Sequence, residues 1–278
     1  MGIWDRLRGN KGKGRQQAEE SQPQPNEQQG QAEEQGYGAL VGFVLLQGDA
    51  FDYTPFIHEM RQRWGIDLSD QGDPEGGAFV FEVDGMRAAC MYVPAPIPNR
   101  EVEENCRYNL IWPEAEQVVS QHQAQLILSV LNYNDPIEGH ALFTKAASSL
   151  LQSGQALGLY MAPAVLEAAH YTELAQMLQE EELPIPLWVF VGLYGGEKGN
   201  SAYTVGLNKF GRDELEVVES DKTPGELYEF LYMITQYLIE YDVLLQDGET
   251  IGFSEEQKLT LTRSKGIAVE GDSIKIGY

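Results

Sequence analysis

The apolar residues of this chain gather into a few uninterrupted runs, at 40–46, 126–131 and 187–194. These runs are too short for typical helices and are rich in β-branched and aromatic side chains, so each predicts a strand buried on both faces. Residues 78–93 differ, because Asp84-Gly85 separates two apolar stretches and predicts a tight turn between paired strands. The glycines at 192–201 also predict a hairpin, since their spacing does not match that of a phosphate-binding loop.

Helix starts are marked by a threonine or an aspartate followed directly by proline. These starts are Thr54-Pro55, Asp135-Pro136 and Thr223-Pro224. In each, the first side chain is expected to accept hydrogen bonds from backbone N–H groups of the first turn, and Glu138 and Glu226 complete the pattern of a capping box. Gly65 and Gly154 predict the ends of the first two helices. The apolar residues from Leu227 to Tyr241 recur with a helical period, so one face of the third helix should pack on a sheet.

Strands and helices alternate along the chain, and hairpins are mixed among them. This order favours an α+β fold with mixed sheets, each with helices packed mainly on one face. Two ferredoxin-like lobes are one arrangement that the order allows. We expect an N-terminal α+β lobe at 37–183 and a C-terminal α+β lobe at 184–278.

The first 36 residues differ in composition from the rest. The stretch 16–36 holds 8 Gln and 5 Glu and is too poor in apolar side chains to offset its ordering entropy, so we predict a disordered linker. Residues 1–15 form a short basic amphipathic peptide in which Ile3, Trp4 and Leu7 would share one helical face. Such a peptide is compatible with weak peripheral membrane contact, with docking on a partner, and with a frayed terminus.

The formal net charge of −24 is unevenly distributed. Residues 1–15 contain five basic side chains and one acidic one, whereas the remaining residues contain 14 basic and 42 acidic side chains. A body with this excess of negative charge repels phosphate backbones, and no basic patch interrupts it, so nucleic-acid binding is not expected. Solubility is the simplest consequence of the acidity.

The composition of the chain also bears on its compartment. The first 14 residues are basic but lack the apolar stretch of roughly 7–15 residues that a signal peptide requires, and no segment reaches about 18 unbroken apolar residues. We therefore expect a cytoplasmic protein. Its two cysteines, Cys90 and Cys106, should stay reduced, as core or loop residues.

Candidate site residues are few. The histidines at 58, 122, 140 and 170 lack the spacing of a metal site, so neither a metal nor a cofactor is expected. His122 directly precedes an apolar strand, where it could line a crevice or bond its own loop. Trp112 could form a platform for a ligand or the edge of a core. Arg263 and Lys265 are conspicuous cations on an acidic body, and they could bind an anion or pair with neighbouring acids.

The C-terminal third has a characteristic sequence. It runs SAYTVGLNKFGRDELEVVES at 201–220, LYEFLYMITQYLIE at 227–240 and LQDGETIGFSEEQKLTLTRSKGIAVEGDSIKI at 245–276. These stretches resemble the bacterial domain-of-unknown-function family 4261, and WPEAEQVVSQHQAQLILSVL at 112–131 is similar to the N-terminal half of longer members. The resemblance implies a cytosolic bacterial protein, and it supplies no activity, ligand or catalytic residue.

Two functional hypotheses remain open. The first is a non-enzymatic module that binds another protein or a peptide, favoured by the lack of catalytic motifs in the sequence and by the basic peptide tethered to an acidic body. The second is an enzyme that acts on a small anionic substrate in a crevice near His122, Arg263 and Lys265, which requires these side chains to converge.

Overall fold

The computed structural model of the protein describes residues 38–48, 50–71, 77–107, 109, 111–152, 154–252 and 258–278. The described residues form two six-stranded sheets and seven helices, an α+β fold as predicted. The first sheet and its helices comprise β1 (Leu40–Leu46), α1 (Thr54–Trp64), β2 (Ala78–Val83), β3 (Met86–Val93), α2 (Glu101–Cys106), α3 (Ala115–Val119), β4 (Ala124–Leu131), α4 (Pro136–Leu151), β5 (Ala156–Met161), β6 (Ala164–Glu167) and α5 (Ala168–Leu174). The second part comprises α6 (Ile185–Trp188), β7 (Phe190–Gly196), β8 (Gly199–Val205), β9 (Glu214–Ser220), α7 (Pro224–Glu240), β10 (Thr250–Ile251), β11 (Leu259–Lys265) and β12 (Asp272–Ile276).

The first sheet has the order β2-β3-β4-β1-β5-β6, and all its paired strands are antiparallel. Helices α1 and α4 cover one face, where Phe56 of α1 packs against Phe79 and Phe81 of β2. The short helices α2 and α3 cover part of the other face, around Trp112 and Tyr160. The strands β1 and β5 therefore place alternate side chains in two apolar layers, with Val44 and Leu159 in the larger layer and Leu45 and Tyr160 in the smaller.

The second sheet has the order β10-β11-β12-β9-β8-β7, and β9 and β12 are parallel. Helix α7 covers one face through a stripe that includes Leu227, Leu231, Ile234 and Leu238, as its periodicity predicts. Tyr241, the last residue of the predicted stripe, lies beyond the end of the helix and is exposed. Each sheet has more strands than the βαββαβ unit of a ferredoxin-like lobe, which supplies four.

The apolar runs differ in how well they predict strands. Residues 40–46 and 126–131 lie in β1 and β4, and the Asp84-Gly85 hairpin and the 192–201 hairpin both form. The run at 187–194 is wrong at its start, because residues 185–188 form a helical turn with Pro186 in its first positions. It is also wrong about burial, since β7 is an edge strand whose Tyr194 is 37% exposed.

The three predicted helix starts use different caps. Thr223 and Glu226 form the complete capping box, and the Asp135 carboxylate accepts hydrogen bonds from the N–H groups of Ile137 and Glu138. The predicted start at Thr54 is confirmed, but the predicted capping by Thr54 is wrong, because Tyr53 occupies the N-cap position without a side-chain capping bond and Thr54 is the first helical residue. The Thr54 N–H donates instead to the Asp52 carboxylate, at 2.9 Å. An aspartate two residues upstream has taken the role that the threonine was expected to have.

The two sheets share one continuous apolar core. The ring of His140 in α4 stacks on Phe210, which follows β8, with ring centroids 4.4 Å apart. The indole N–H of Trp188 donates to the Thr144 hydroxyl at 2.9 Å. These contacts tie the helix that covers the first sheet to the polypeptide of the second.

Candidate functional site

A cavity of about 220 Å³ opens on the second sheet, at the end of α7. Its apolar walls are Leu215, Leu238, Leu244, Leu245 and Ile274. Leu215 and Ile274 face it from β9 and β12, because these residues are partners in the parallel strand pair. Leu238 comes from the last turns of α7. Side chains of two strands and one helix therefore form the floor of the cavity.

The mouth of the cavity is made by the segment that follows α7. Asp242 has a φ of 53°, and the N–H of Val243 donates back to the carbonyl of Leu238, so the chain reverses where the helix ends. This reversal places Leu244 and Leu245 beside the cavity, and Leu244 is 59% exposed. An aliphatic side chain this exposed is available to an incoming apolar group.

The polar wall of the cavity contains Arg212. Its guanidinium donates to the carbonyl oxygen of Phe210 and forms an ion pair with Asp242, and the arginine side chain is 11% exposed. The Nε atom of Arg212 is buried and has no hydrogen-bond partner among the described residues. Arg212 therefore ties the mouth segment to the residues before β9.

Asp213, next to Arg212, also lines the cavity. Its carboxylate accepts from both Nε and Nη2 of Arg263, at 3.0 and 3.1 Å, in a bidentate pair. The backbone N–H of Arg263 donates to Asp247 at 2.8 Å. The predicted candidate Arg263 is thus adjacent to the cavity, but its charge is matched by an acid.

Two buried glutamates on β9 hold the loops around this sheet. The Glu214 carboxylate accepts from the Thr204 hydroxyl at 2.7 Å and from the N–H groups of residues 206–208. The Glu216 carboxylate accepts from the N–H groups of Ile267 and Ala268 and from the ammonium of Lys275. Each carboxylate satisfies backbone donors that a turn leaves unpaired, so both serve the architecture of the sheet.

The other predicted candidates are placed apart from this cavity. His122 is buried, its Nε2 accepts from the N–H of Ile97 at 2.9 Å, and its Nδ1 lies against the carbonyl of Val119. Lys265 forms a cross-strand ion pair with Asp272 at 2.9 Å. Within the described part of the chain, no hydrogen bond or ion pair joins His122 to Arg263 or Lys265, so no described contact supports the enzyme hypothesis.

Trp112 belongs to the smaller core of the first sheet, where it is 7% exposed. Its indole also lines a shallow cavity of about 70 Å³ together with His170 and the exposed Ile111. The backbone N–H of Trp112 donates to Asn109, whose side-chain amide in turn donates to the carbonyl of Val165 on the edge strand β6. These contacts give Trp112 a packing role.

Some predictions lie outside the described residues. These are the docking residues Ile3, Trp4 and Leu7, the peptide 1–15 and the linker 16–36. In the ranges that the structure describes, no cluster of three or more His, Cys, Asp or Glu side chains could hold a metal ion. No helix in those ranges combines the length and apolar character needed to cross a bilayer.

Sequence reasoning missed most of the cavity. Arg212, Asp213 and Leu244 carry no motif, and their neighbours in space come from segments some 30 to 60 residues away, as the contacts of Arg212 with Asp242 and of Leu215 with Ile274 illustrate. The sequence holds one local signal, because the apolar triplet Val243-Leu244-Leu245 follows the last residue of the predicted helical stripe, Tyr241, after a single acid.

Comparisons with known proteins bear on the same region. Residues 203–277 match the family model described as Domain of unknown function (DUF4261), as the resemblance predicts. All the residues that line the larger cavity fall within this matched segment. No curated protein matches the chain, and no solved structure does.

Proposed function

We propose that the protein is a non-enzymatic module that binds a peptide segment of another protein, and that the cavity beside α7 receives an apolar side chain of that segment. The construction of the cavity carries this proposal: aliphatic side chains form its floor and mouth, and polar groups form one wall. Its volume of about 220 Å³ lies below the roughly 300–1,000 Å³ of sites for drug-sized ligands. This size favours one anchoring side chain over a whole cofactor.

The charge around the mouth supports a basic partner segment. Residues 238–252 contain the acids Glu240, Asp242, Asp247 and Glu249 and no lysine or arginine. A segment that combines cations with an apolar anchor would match this surface in both charge and hydrophobicity. We further propose that the protein acts in the bacterial cytoplasm, which agrees with Cys90 and Cys106 being free and buried.

The test is selection of peptides from a displayed random library by the full chain, followed by affinity measurements on the selected peptides. We expect peptides that share a large apolar residue flanked by cations, and we expect Leu244→Asp to abolish their binding. Ile267→Asp is the matched control, because Ile267 is similarly exposed, at 62%, and does not line the cavity. Failure to select any peptide, or equal loss of binding in the two variants, contradicts the proposal.

A further inference from the structure

The chain itself contains a segment with the chemistry that the cavity favours. Residues 1–15 carry Arg6, Arg8, Lys11, Lys13 and Arg15 against one acid. The same segment carries the apolar side chains Ile3, Trp4 and Leu7. Residues 238–252 around the mouth carry four acids and no lysine or arginine, and only Asp242 of these four forms an ion pair, with Arg212, among the described residues. The segment and the surface are therefore complementary in charge and in apolar content.

We propose that residues 1–15 occupy the cavity of the same chain and compete there with external peptides. This inference rests on the proposed function, since it assigns an internal occupant to the same site. Trp4 is the anchor, because large aromatic side chains in desolvated pockets dominate peptide recognition. Arg6 and Arg8 then face the acids at the mouth.

Carboxylates at the mouth remain available to these cations. Asp242 already pairs with Arg212, although 95% of the Asp242 side chain is exposed. Within the described part of the chain, no ion pair engages Glu240, Asp247 or Glu249, which accept hydrogen bonds from uncharged donors. An incoming arginine would therefore gain partners without displacing an existing cation.

The linker is long enough for the segment to reach the cavity. Residues 16–36 can span up to about 70 Å when extended, whereas a folded body of this size is about 45 Å across. With the disorder that its composition predicts, a linker of this kind gives an effective concentration in the millimolar range. For a segment with a dissociation constant of about 100 µM, chains with an occupied cavity would then outnumber chains with an empty cavity by about ten to one.

The experiment places a spin label in the segment and observes the cavity by NMR of the full chain. Asn10→Cys provides the attachment site, and it leaves the cations and the apolar residues intact. Cys90 and Cys106 do not compete for the label, because both are buried and burial raises the pKa of each thiol to about 12. We expect the label to broaden the methyl signals of Leu244, Leu245 and Ile274.

Control methyls and control variants make the result specific. The methyls of Val80 are exposed and lie on β2, the edge strand of the first sheet, which contributes no residue to the cavity, so their signals should be unaffected. Leu244→Asp in the labelled chain, and separately Trp4→Ala, should restore the broadened signals. Broadening that appears only between differently labelled chains in a mixed sample would identify a second copy as the occupant and would overturn the proposal. Uniform broadening, or none, would also overturn it.

A binding measurement separates this inference from the proposed function. If residues 1–15 compete for the cavity, Trp4→Ala should tighten the binding of a library-selected peptide about tenfold. Peptide binding that depends on Leu244 but is unchanged by Trp4→Ala, with no broadening at the cavity, refutes the internal occupant and leaves the proposed function standing. If wild type and Trp4→Ala both select no peptide, the proposed function fails.

Discussion

Glu214 and Glu216 lie two residues apart on the same strand, yet their surroundings shift the pKa values of the two carboxyl groups in opposite directions. Burial raises the pKa of Glu214, and hydrogen bonds from the Thr204 hydroxyl and the following turn offset this only in part. Burial also opposes ionisation of Glu216, but the N–H of Ala268, the Ser273 hydroxyl and Lys275 together lower its pKa. The Lys275 ammonium contacts the Glu216 carboxylate at 2.9 Å, whereas the described hydrogen-bond donors to the Glu214 carboxylate are uncharged.

The opposite shifts predict two separate titrations. Carbon-13 NMR of the glutamate carboxyl groups should place the midpoint of Glu216 below the ordinary value of 4.5 and that of Glu214 above it. Lys275→Gln should raise the midpoint of Glu216, because the ammonium that favours its ionised form is removed. The described geometry would be contradicted if the two carboxyl groups titrated with the same midpoint, or if the midpoint of Glu216 were the same in Lys275→Gln as in wild type.

Removing the charge of Glu216 should destabilise the protein. The Glu216 side chain is 1% exposed and Lys275 is 20% exposed, so Glu216→Gln leaves a largely buried ammonium without its counter-ion. The free energy of unfolding at pH 7 should fall by about 3 kcal/mol, the lower end of the range for breaking a buried pair. Urea denaturation measures this loss, and Glu219→Gln is the control on the same strand, since Glu219 is half-exposed.

Glu216→Gln also tests how the stability of the protein changes with pH. A carboxyl group with a lowered pKa in the folded state stabilises the protein above its unfolded pKa, and this contribution is lost as the pH falls through the folded pKa. Wild type should therefore lose stability below about pH 4.5, and Glu216→Gln should lose less over the same interval. An identical dependence on pH in both proteins would show that Glu216 is not the group responsible.

The burial of Glu216 shows where sequence reasoning reached its limit. The alternation of Glu214, Leu215, Glu216 and Val217 is typical of a strand with one apolar face and one solvated face. The strand and its apolar face are present, but the loop at 266–271, about 50 residues further along, covers Glu216. A period of two predicts which side chains share a face, and it carries no information about what covers that face.

Features set by nearby residues were predicted better than features set by distant ones. The Asp84-Gly85 hairpin has positive φ at both turn residues, 50° and 81°, as the two-residue turn requires. Arg263 was identified as a cation that could bind an anion or pair with neighbouring acids, whereas its actual partner Asp213 lies 50 residues earlier and was not predicted. The cavity combines three segments separated along the chain, so its existence depends on tertiary packing that no local pattern encodes.

His140 should make stability depend on pH near neutrality. Its ring is 2% exposed, its Nδ1 bonds the carbonyl of Pro136, and its buried Nε2 has no partner among the described residues. Burial lowers the pKa of His140 to about 4, and Lys209 adds to this shift. Since the unfolded state takes up a proton near pH 6.5 and the folded state does not, stability falls as the pH decreases from 6.5 towards 4.

Substitution of His140 isolates this effect. Between pH 7 and pH 5, wild type should lose about 2 kcal/mol of unfolding free energy through this group. His140→Phe keeps an aromatic ring against Phe210 and removes the titration, so its loss over the same interval should be smaller by that amount. His58→Phe is the control, because His58 is exposed. An unchanged slope in His140→Phe would mean that the buried ring is not the source of the pH dependence.

Thr223 and Thr54 begin their helices with the same Thr-Pro sequence, and the structure predicts different costs for removing their hydroxyl groups. The Thr223 hydroxyl accepts from the N–H of Glu226, at 3.3 Å, within a complete capping box. Thr223→Ala should therefore lower the free energy of unfolding by about 1 kcal/mol. Thr54 is already helical, and its hydroxyl bonds the exposed Asp52 carboxylate, so Thr54→Ala should stay within about 0.5 kcal/mol of wild type. Urea denaturation of both variants measures the two changes in the free energy of unfolding. Equal decreases in the two variants would mean that the Thr-Pro dipeptide itself, rather than the geometry of the cap, determines how much the threonine stabilises its helix.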